Sequence, residues 1–102
     1  MINSYVELIK LIKIRPTMYL GSYSITLLHA FLNGWSFKDP DSIIDSEVYR
    51  DFQSWIGIKY EKTSYYSWSN IILFYSRDEN HALIRFFEEF DDFLREKYPD
   101  LA

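Results

Sequence analysis

The strongest folding signal in this chain lies in residues 76–97, SRDENHALIRFFEEFDDFLREK. The apolar residues recur at the spacing of one helix face and comprise Leu83, Phe86, Phe87, Phe90 and Leu94. That spacing predicts a long helix whose apolar stripe faces a core. Ser76 and Glu79 have the spacing of a capping box, in which each side chain accepts an unpaired backbone N–H, so we expect the helix to begin there. The acidic residues fall off the stripe, and we expect solvent to surround them.

Two further helices are predicted upstream of Gly34. Asn3 or Ser4 can cap the first, which should end before Pro16 because the residue preceding a proline disfavours helical backbone. The second spans 25–33 and is apolar almost all round, as central helices usually are. Gly34 is placed to end it in the left-handed conformation.

The rest of the chain predicts helices separated by two longer loops, over 36–44 and 59–67. A helix over 45–58 can be capped by Asp45 or Ser46, and its apolar face consists of Val48, Phe52, Trp55 and Ile56. Residues 68–75 are a short apolar run that could be a strand or a helix; we favour a helix because the neighbours are helical. The prediction is a single all-α domain over residues 1–102, a compact bundle of four to five helices.

Residues 13–24, KIRPTMYLGSYS, raise a functional question. The Arg-x-x-Met-Tyr-Leu-Gly run resembles a segment near the N-terminus of type II topoisomerase ATPase domains, where the next helix carries the acid and the asparagine of the ATP site. Here the following residues, 25–34, lack that E-x-x-x-N pattern. We therefore predict a corner, in which Met18 and Leu20 fill the crevice between two helices and Gly21 turns the chain.

Composition and charge narrow the class of partner. The chain has 15 acidic and 11 basic residues, which give it a net charge of −4. The acids concentrate in 38–51 and 76–102, whereas residues 1–20 carry an excess of positive charge. Nucleic-acid binding needs cations to displace counterions from phosphates, so this balance argues against it and suits a basic protein partner.

The patterns that carry catalysis or metal binding are missing from the sequence. There is no cysteine, His29 and His81 lack partners at metal-ligand spacing, and no G-x-S-x-G is present. We predict a protein that is not an enzyme and takes no cofactor or metal, with His29 as a satisfied core residue. The chain also shows neither a signal peptide nor a run of about 20 apolar residues, so we expect a cytoplasmic protein that does not bind membranes.

The aromatic residues indicate a binding surface. Nine tyrosines exceed what a core of this size can satisfy, because each buried hydroxyl needs a hydrogen-bond partner. We expect Tyr65, Tyr66 and Trp68 to reach the surface, unless they form a minor cluster under a loop. Tyr and Trp beside carboxylates are typical of protein–protein hot spots. The predicted partner contacts are Asp39, Asp41, Asp45, Tyr65, Tyr66, Trp68, Glu88, Glu89, Asp91 and Asp92.

Several short motifs carry a resemblance to a protein family. They are RPTMYLG (15–21), FLNGW (31–35), FQSWI (52–56), SWSNII (67–72) and ALIRFF (82–87). In this order they resemble small bacterial proteins found with polymorphic toxins, including immunity proteins of contact-dependent growth inhibition systems. The resemblance implies a cytosolic protein that binds one cognate toxin domain, often a nuclease, and neutralises it. An acidic surface agrees with that function, because it can fill a basic cleft as a phosphate mimic.

Two other classes stay open. A non-catalytic adaptor or homo-oligomer would use the same aromatic surface to meet another protein or a second copy, whereas an immunity protein without its toxin is expected to be a monomer. A small enzyme would need a site around His29 and the Tyr19 loop, with a deep pocket and a strongly perturbed titratable group.

Overall fold

Helices connected by turns and short loops make up the part of the chain that the structure describes, which is residues 2–62 and 65–102 of a computed structural model. The helices are α1 (Tyr5–Ile14), α2 (Pro16–Leu20), α3 (Ile25–Lys38), α4 (Ser46–Lys59), α5 (Trp68–Phe74) and α6 (Glu79–Lys97), with 3₁₀ turns at Pro40–Ser42 and Pro99–Leu101. No strand occurs in these residues, so the all-α prediction is confirmed, including a helix within 68–75. Residues 63 and 64 of the predicted loop 59–67 lie outside the described residues.

The count of four to five helices was too low because residues 16–20 form a helix of their own. Arg15 leaves helical backbone at φ −140° and ψ 71°, and Pro16 then occupies the first helical position, where its missing N–H costs nothing. Gly21 closes α2 at φ 83°, which confirms the predicted turn. The expectation for Met18 was wrong, since 63% of this side chain is exposed, whereas Leu20 packs against the core.

The core is built around α6, whose apolar stripe is confirmed. Phe52 of α4 is fully buried and meets Phe86, Phe90 and Phe93 of α6 with ring centroids 5.1–5.5 Å apart. Trp68 of α5 joins the same cluster, with its ring centroid 4.7 Å from that of Phe86. α3 closes the other side of α6.

α3 is longer and less buried than its composition predicts. The helix continues through Gly34 to Lys38, because Trp35 packs on the core and this burial offsets the poor helix propensity of the preceding Asn-Gly pair. The predicted helix end at Gly34 was therefore wrong. Leu28 and Leu32 are buried while 42% of Leu27 is exposed, so α3 has one buried face.

Two carboxylates cap helices other than their own, and the first is Asp45 at the start of α4. Its Oδ1 accepts the Tyr5 backbone N–H at 2.7 Å. Its Oδ2 accepts the Val6 N–H at 3.1 Å and the Ser4 hydroxyl at 2.7 Å. Asp45 occupies the N-cap position of α4, as one of the two predicted candidates, but its side chain makes no hydrogen bond to the N-terminus of that helix. It ties α4 to the first turn of α1 instead.

Glu79 makes the second such cap, on α3. Its Oε1 accepts the Thr26 N–H at 3.0 Å and the Ser24 hydroxyl at 2.7 Å, and its Oε2 accepts the Thr26 hydroxyl at 2.7 Å. The predicted capping box at Ser76 and Glu79 was wrong: Asp78 caps α6 by accepting the His81 N–H, and Ser76 donates to a carbonyl of α5. Glu79 therefore joins α6 to α3.

His29 lies half-buried between α3 and α5. Its Nδ1 is 2.7 Å from the Ser69 hydroxyl oxygen, and its ring centroid is 4.9 Å from that of Trp68. This arrangement satisfies the imidazole by a hydrogen bond and an aromatic contact, as predicted for a core histidine.

The position of His29 leads to a pH prediction. Burial lowers the pKa of His29 from its usual 6.5, so folding favours the neutral imidazole. The unfolded chain then binds the proton more readily, and the stability that His29 contributes is present above about pH 6.5 and lost as the pH falls through the folded pKa. We expect urea unfolding to show a smaller loss of stability between pH 7.5 and 5.5 in His29→Gln than in wild type. Identical profiles for wild type and His29→Gln would contradict the prediction.

Candidate functional site

A groove of about 860 Å³ runs between α4 and the C-terminal half of α6. Its lining includes two half-buried rings, one exposed aliphatic side chain, three carboxylates and two lysines: Trp55, Tyr98, Ile58, Asp51, Asp92, Glu96, Lys59 and Lys97. We call this feature the α4–α6 groove. These are the residue types that dominate the centres of protein–protein interfaces, apart from the acids, which supply charge complementarity.

A line of side-chain hydrogen bonds joins the two antiparallel helices along the groove. From the start of α4 to its end the pairs are Asp51 with Tyr98, Trp55 with Glu96, Lys59 with Glu89, and Tyr60 with Arg85. The last three measure 2.6, 2.7 and 2.8 Å. Both ring systems in the wall are thus fixed by a carboxylate, which holds them in one orientation before any partner binds.

The charges in this line shift two pKa values. The hydrogen bond to Asp51, followed by burial and the charges of Asp51 and Glu47, raises the pKa of Tyr98 to about 12. Burial lowers the pKa of Lys59, but the hydrogen bond and charge of Glu89 outweigh it and, with Tyr60 and Asp92, leave the pKa raised. Tyr98 is therefore a neutral donor and Lys59 a cation at neutral pH.

Asp92 makes none of these hydrogen bonds, although its charge helps raise the pKa of Lys59. It is exposed at the groove and makes no hydrogen bond or salt bridge with another described residue. Its carboxylate is the acceptor in the wall that a partner's cation can approach without displacing an existing contact.

The predicted acidic contacts on α6 are divided by the helix. Glu88 and Asp92 are exposed, but Glu89 is buried and pairs with Lys59 at 2.7 Å, so the expectation that it is solvated was wrong. Asp91 pairs with Arg95 at 2.9 Å, one residue and about 100° round the helix from Asp92. Glu89 is drawn inward because it continues the line of α4–α6 contacts.

The predicted aromatic patch is divided as well. Tyr65 and Tyr66 are 95% and 53% exposed, whereas only 2% of Trp68 is exposed, so its expected place at the surface was wrong. Its indole N–H donates to Tyr49 and its ring fills the core. The Tyr66 carbonyl accepts a hydrogen bond from the Gln53 side chain of α4. Gln53 and Trp55 lie about 160° apart around the helix, so this loop contacts the side of α4 opposite the groove.

The third predicted patch surrounds the first 3₁₀ turn. Asp39 and Asp41 are exposed there, and their role as partner contacts stays a prediction. Asp45 is half-buried and occupied by the N-terminus of α1, so it has few acceptor positions left for a partner. The structure thus brings Glu88, Glu89 and Asp92 together beside the groove, whereas Tyr65 and Tyr66 lie elsewhere on the surface.

Sequence reasoning missed four residues of the groove: Asp51, Trp55, Glu96 and Tyr98. Trp55 was assigned to the buried face of its helix because it falls in the apolar series. The sequence signal was a spacing of four residues, which places two side chains on one face of a helix. Asp51 and Trp55 have this spacing on α4, and Asp92 and Glu96 have it on α6. That signal becomes informative only once α4 and α6 are known to be neighbours.

The chain was also searched for metal sites and membrane spans and was compared with known proteins. Within residues 2–62 and 65–102, no three histidine or acidic side chains are placed to hold a metal ion. None of the helices in that part of the chain has the length and apolar character of a membrane span. Comparison of the chain with protein-family models, with curated proteins and with solved structures found no match. The charged residues that line the groove are three carboxylates, Asp51, Asp92 and Glu96, and two lysines, Lys59 and Lys97.

Proposed function

We propose that this chain is a cytoplasmic immunity protein that binds and neutralises a basic toxin domain of the nuclease type. The observation that carries the proposal is the α4–α6 groove, where fixed aromatic rings and carboxylates line one surface. In a system of contact-dependent growth inhibition, such a protein would protect the cell by covering the active-site cleft of the toxin.

Charge supports this choice of partner. A nuclease cleft is lined by cations that bind the phosphate backbone, and the carboxylates of Asp51, Asp92 and Glu96 can meet such cations. The net charge of −4 adds long-range attraction, which speeds association with a basic domain.

The two rings supply slow dissociation. Trp55 and Tyr98 are already held by Glu96 and Asp51, so little side-chain entropy is lost when a partner covers them. A standard interface buries about 800 Å² on each partner. That is about one eighth of the 6456 Å² surface of this chain, and the groove with its rims can supply it.

Co-expression tests the function. The domain to use is the C-terminal domain of the protein encoded immediately upstream, because immunity genes stand beside their toxin genes. We expect the two chains to co-purify and this chain to rescue growth from the toxic domain. A harmless upstream domain, or a toxic one that neither binds nor is neutralised, contradicts the proposal.

Charge reversal in the groove locates the interface. We expect Asp92→Lys to weaken binding of the toxin domain about tenfold, because a lysine there repels the cations that the groove receives. Glu7→Lys on the exposed side of α1 is the matched control, with the same change in net charge and no loss of affinity beyond about twofold. Isothermal titration calorimetry at 150 mM salt measures both. Equal losses in the two variants would mean that net charge, and not the groove, governs binding.

Self-association is a second candidate function. A recess between α1 and α6 is lined by Ile14 and Ile84, both more than half exposed, above the buried ring of Phe87. Such a surface suits a homo-oligomer or adaptor. Light scattering decides between the candidates, because the immunity proposal expects a monomer in the absence of the toxin.

A further inference from the structure

An acidic recess of about 340 Å³ adjoins the α4–α6 groove on the surface of α6. It is lined by His81, Arg85, Glu88, Glu89 and Asp92, and Asp92 also lines the groove. A partner that covers the groove therefore also meets the recess.

One residue that lines the recess, Glu89, has a buried carboxylate oxygen without a donor. The side chain of Glu89 is only 10% exposed, and its Oε1 accepts the Lys59 ammonium at 2.7 Å. Its Oε2 exposes less than 1 Å² and has no hydrogen-bond partner among the described residues. A buried acceptor of this kind is costly to leave unpaired, and more so when it is charged, so a donor supplied from outside would be strongly favoured.

The other two acids of the recess form no ion pair with a described residue, although the charge of Asp92 acts on Lys59. Glu88 and Asp92 stand one turn apart on α6, are exposed and pair with no described residue, so they repel each other in the free protein. The guanidinium of Arg85 is committed elsewhere, because it donates to the Tyr75 carbonyl at 3.0 Å and to the Tyr60 hydroxyl at 2.8 Å. The recess therefore offers three acceptors to a guest.

We propose that this recess receives an arginine side chain of the partner, whose guanidinium donates to Oε2 of Glu89 and pairs with Glu88 and Asp92. Arginine fits better than lysine because its planar group carries five donors and can reach several carboxylate oxygens at once. The guest reaches Oε2 after a side chain at the rim moves aside, as exposed side chains do within nanoseconds. The identity of the partner rests on the proposed function, but the chemistry of the recess does not.

Argininamide is the probe that tests the recess directly. We expect saturable binding at a dissociation constant of about millimolar, as a ligand of this size gives, reported by the side-chain carboxyl carbons of Glu88, Glu89 and Asp92 in NMR spectra. Lysinamide, with the same charge, should bind at least about threefold more weakly. Equal binding of the two amides, or no saturable shift at these three carbons, overturns the proposal.

Variants of the recess complete the test. Glu89→Gln should weaken argininamide binding about tenfold. This variant also loses the Lys59 ion pair, which could impair folding. The exposed-site variant Asp92→Asn is therefore measured in parallel and should weaken binding about threefold. Glu7→Gln removes one charge from α1 and should bind as wild type does. Equal weakening by Glu7→Gln and Asp92→Asn overturns the recess. Argininamide binding without a toxin complex would overturn the proposed function alone, and a toxin complex without argininamide binding would overturn the recess alone.

Discussion

Replacing Trp68 with alanine is expected to lower the free energy of unfolding by about 3–5 kcal/mol, the range for deletion of a fully buried aromatic ring. The indole packs against Phe52 and Phe86 with centroid distances of 5.9 and 4.7 Å, and its N–H donates to Tyr49. The truncation loses these contacts and leaves a cavity that the surrounding helices can fill only in part. Urea unfolding followed by circular dichroism measures the loss.

An exposed aromatic residue provides the control for this substitution. Phe37 near the end of α3 is 87% exposed, and Phe37→Ala should change the stability by no more than about 0.5 kcal/mol. If Trp68→Ala unfolded at the wild-type urea concentration, the ring would have to lie at the surface, as the sequence analysis expected.

Removing the Glu79 carboxylate is expected to cost about 1.5–3 kcal/mol, the range for hydrogen bonds to a charged group. Glu79→Ala deletes the acceptor for Ser24 and for both the N–H and the hydroxyl of Thr26, at distances of 2.7–3.0 Å. The first turn of α3 then loses its link to α6. Asn80→Ala changes the next, exposed residue of α6 and should leave stability within about 0.5 kcal/mol of wild type.

The pH dependence separates this cap from a general packing effect. Burial raises the pKa of Glu79, but the hydrogen bonds from Thr26, Ser24 and Ile25 outweigh it, so the pKa lies below its usual 4.5. Because the folded pKa is lowered, the stability it contributes is present above about pH 4.5 and lost as the pH falls through the folded pKa. The stability difference between wild type and Glu79→Ala should therefore shrink as the pH falls below 4.5. A difference that stays constant would show that the lost packing, and not the charge, accounts for the cost.

Most of the fold could be predicted because local patterns decided it. The stripe of α6 and the proline after Arg15 fixed two helices from the sequence alone. The errors at Gly34 and Glu79 share one physical cause, because contacts with distant residues decide both. Trp35, which follows Gly34, packs on the core, and Glu79 accepts hydrogen bonds from the start of α3. A local capping rule cannot anticipate an acceptor more than 50 residues away, and a helix-breaking pair can be overridden by burial of the next turn.

The candidate site was less predictable for a related reason. The acids of α6 were identified as a group, but their positions depend on which flank faces α4, and that separates Glu89 from Asp91. Trp68 fills the core instead of the surface, because the depth at which α5 enters the core is a property of the whole bundle, whereas Trp55 packs half-buried against the core from the apolar face predicted for it. Sequence composition predicted an acidic and aromatic binding surface, and only the tertiary structure brings acids and rings of α4 and α6 together in one groove.

Hydroxyl-radical footprinting of the complex proposed above, with the domain encoded upstream, tests the central claim most directly. Trp55 and Tyr98 are half-exposed in the free chain and react readily, while Phe37 provides an exposed reference away from the groove. The account predicts that oxidation of Trp55 and Tyr98 falls at least about threefold on binding while that of Phe37 is unchanged. Unchanged oxidation of both groove residues in a formed complex would contradict the account.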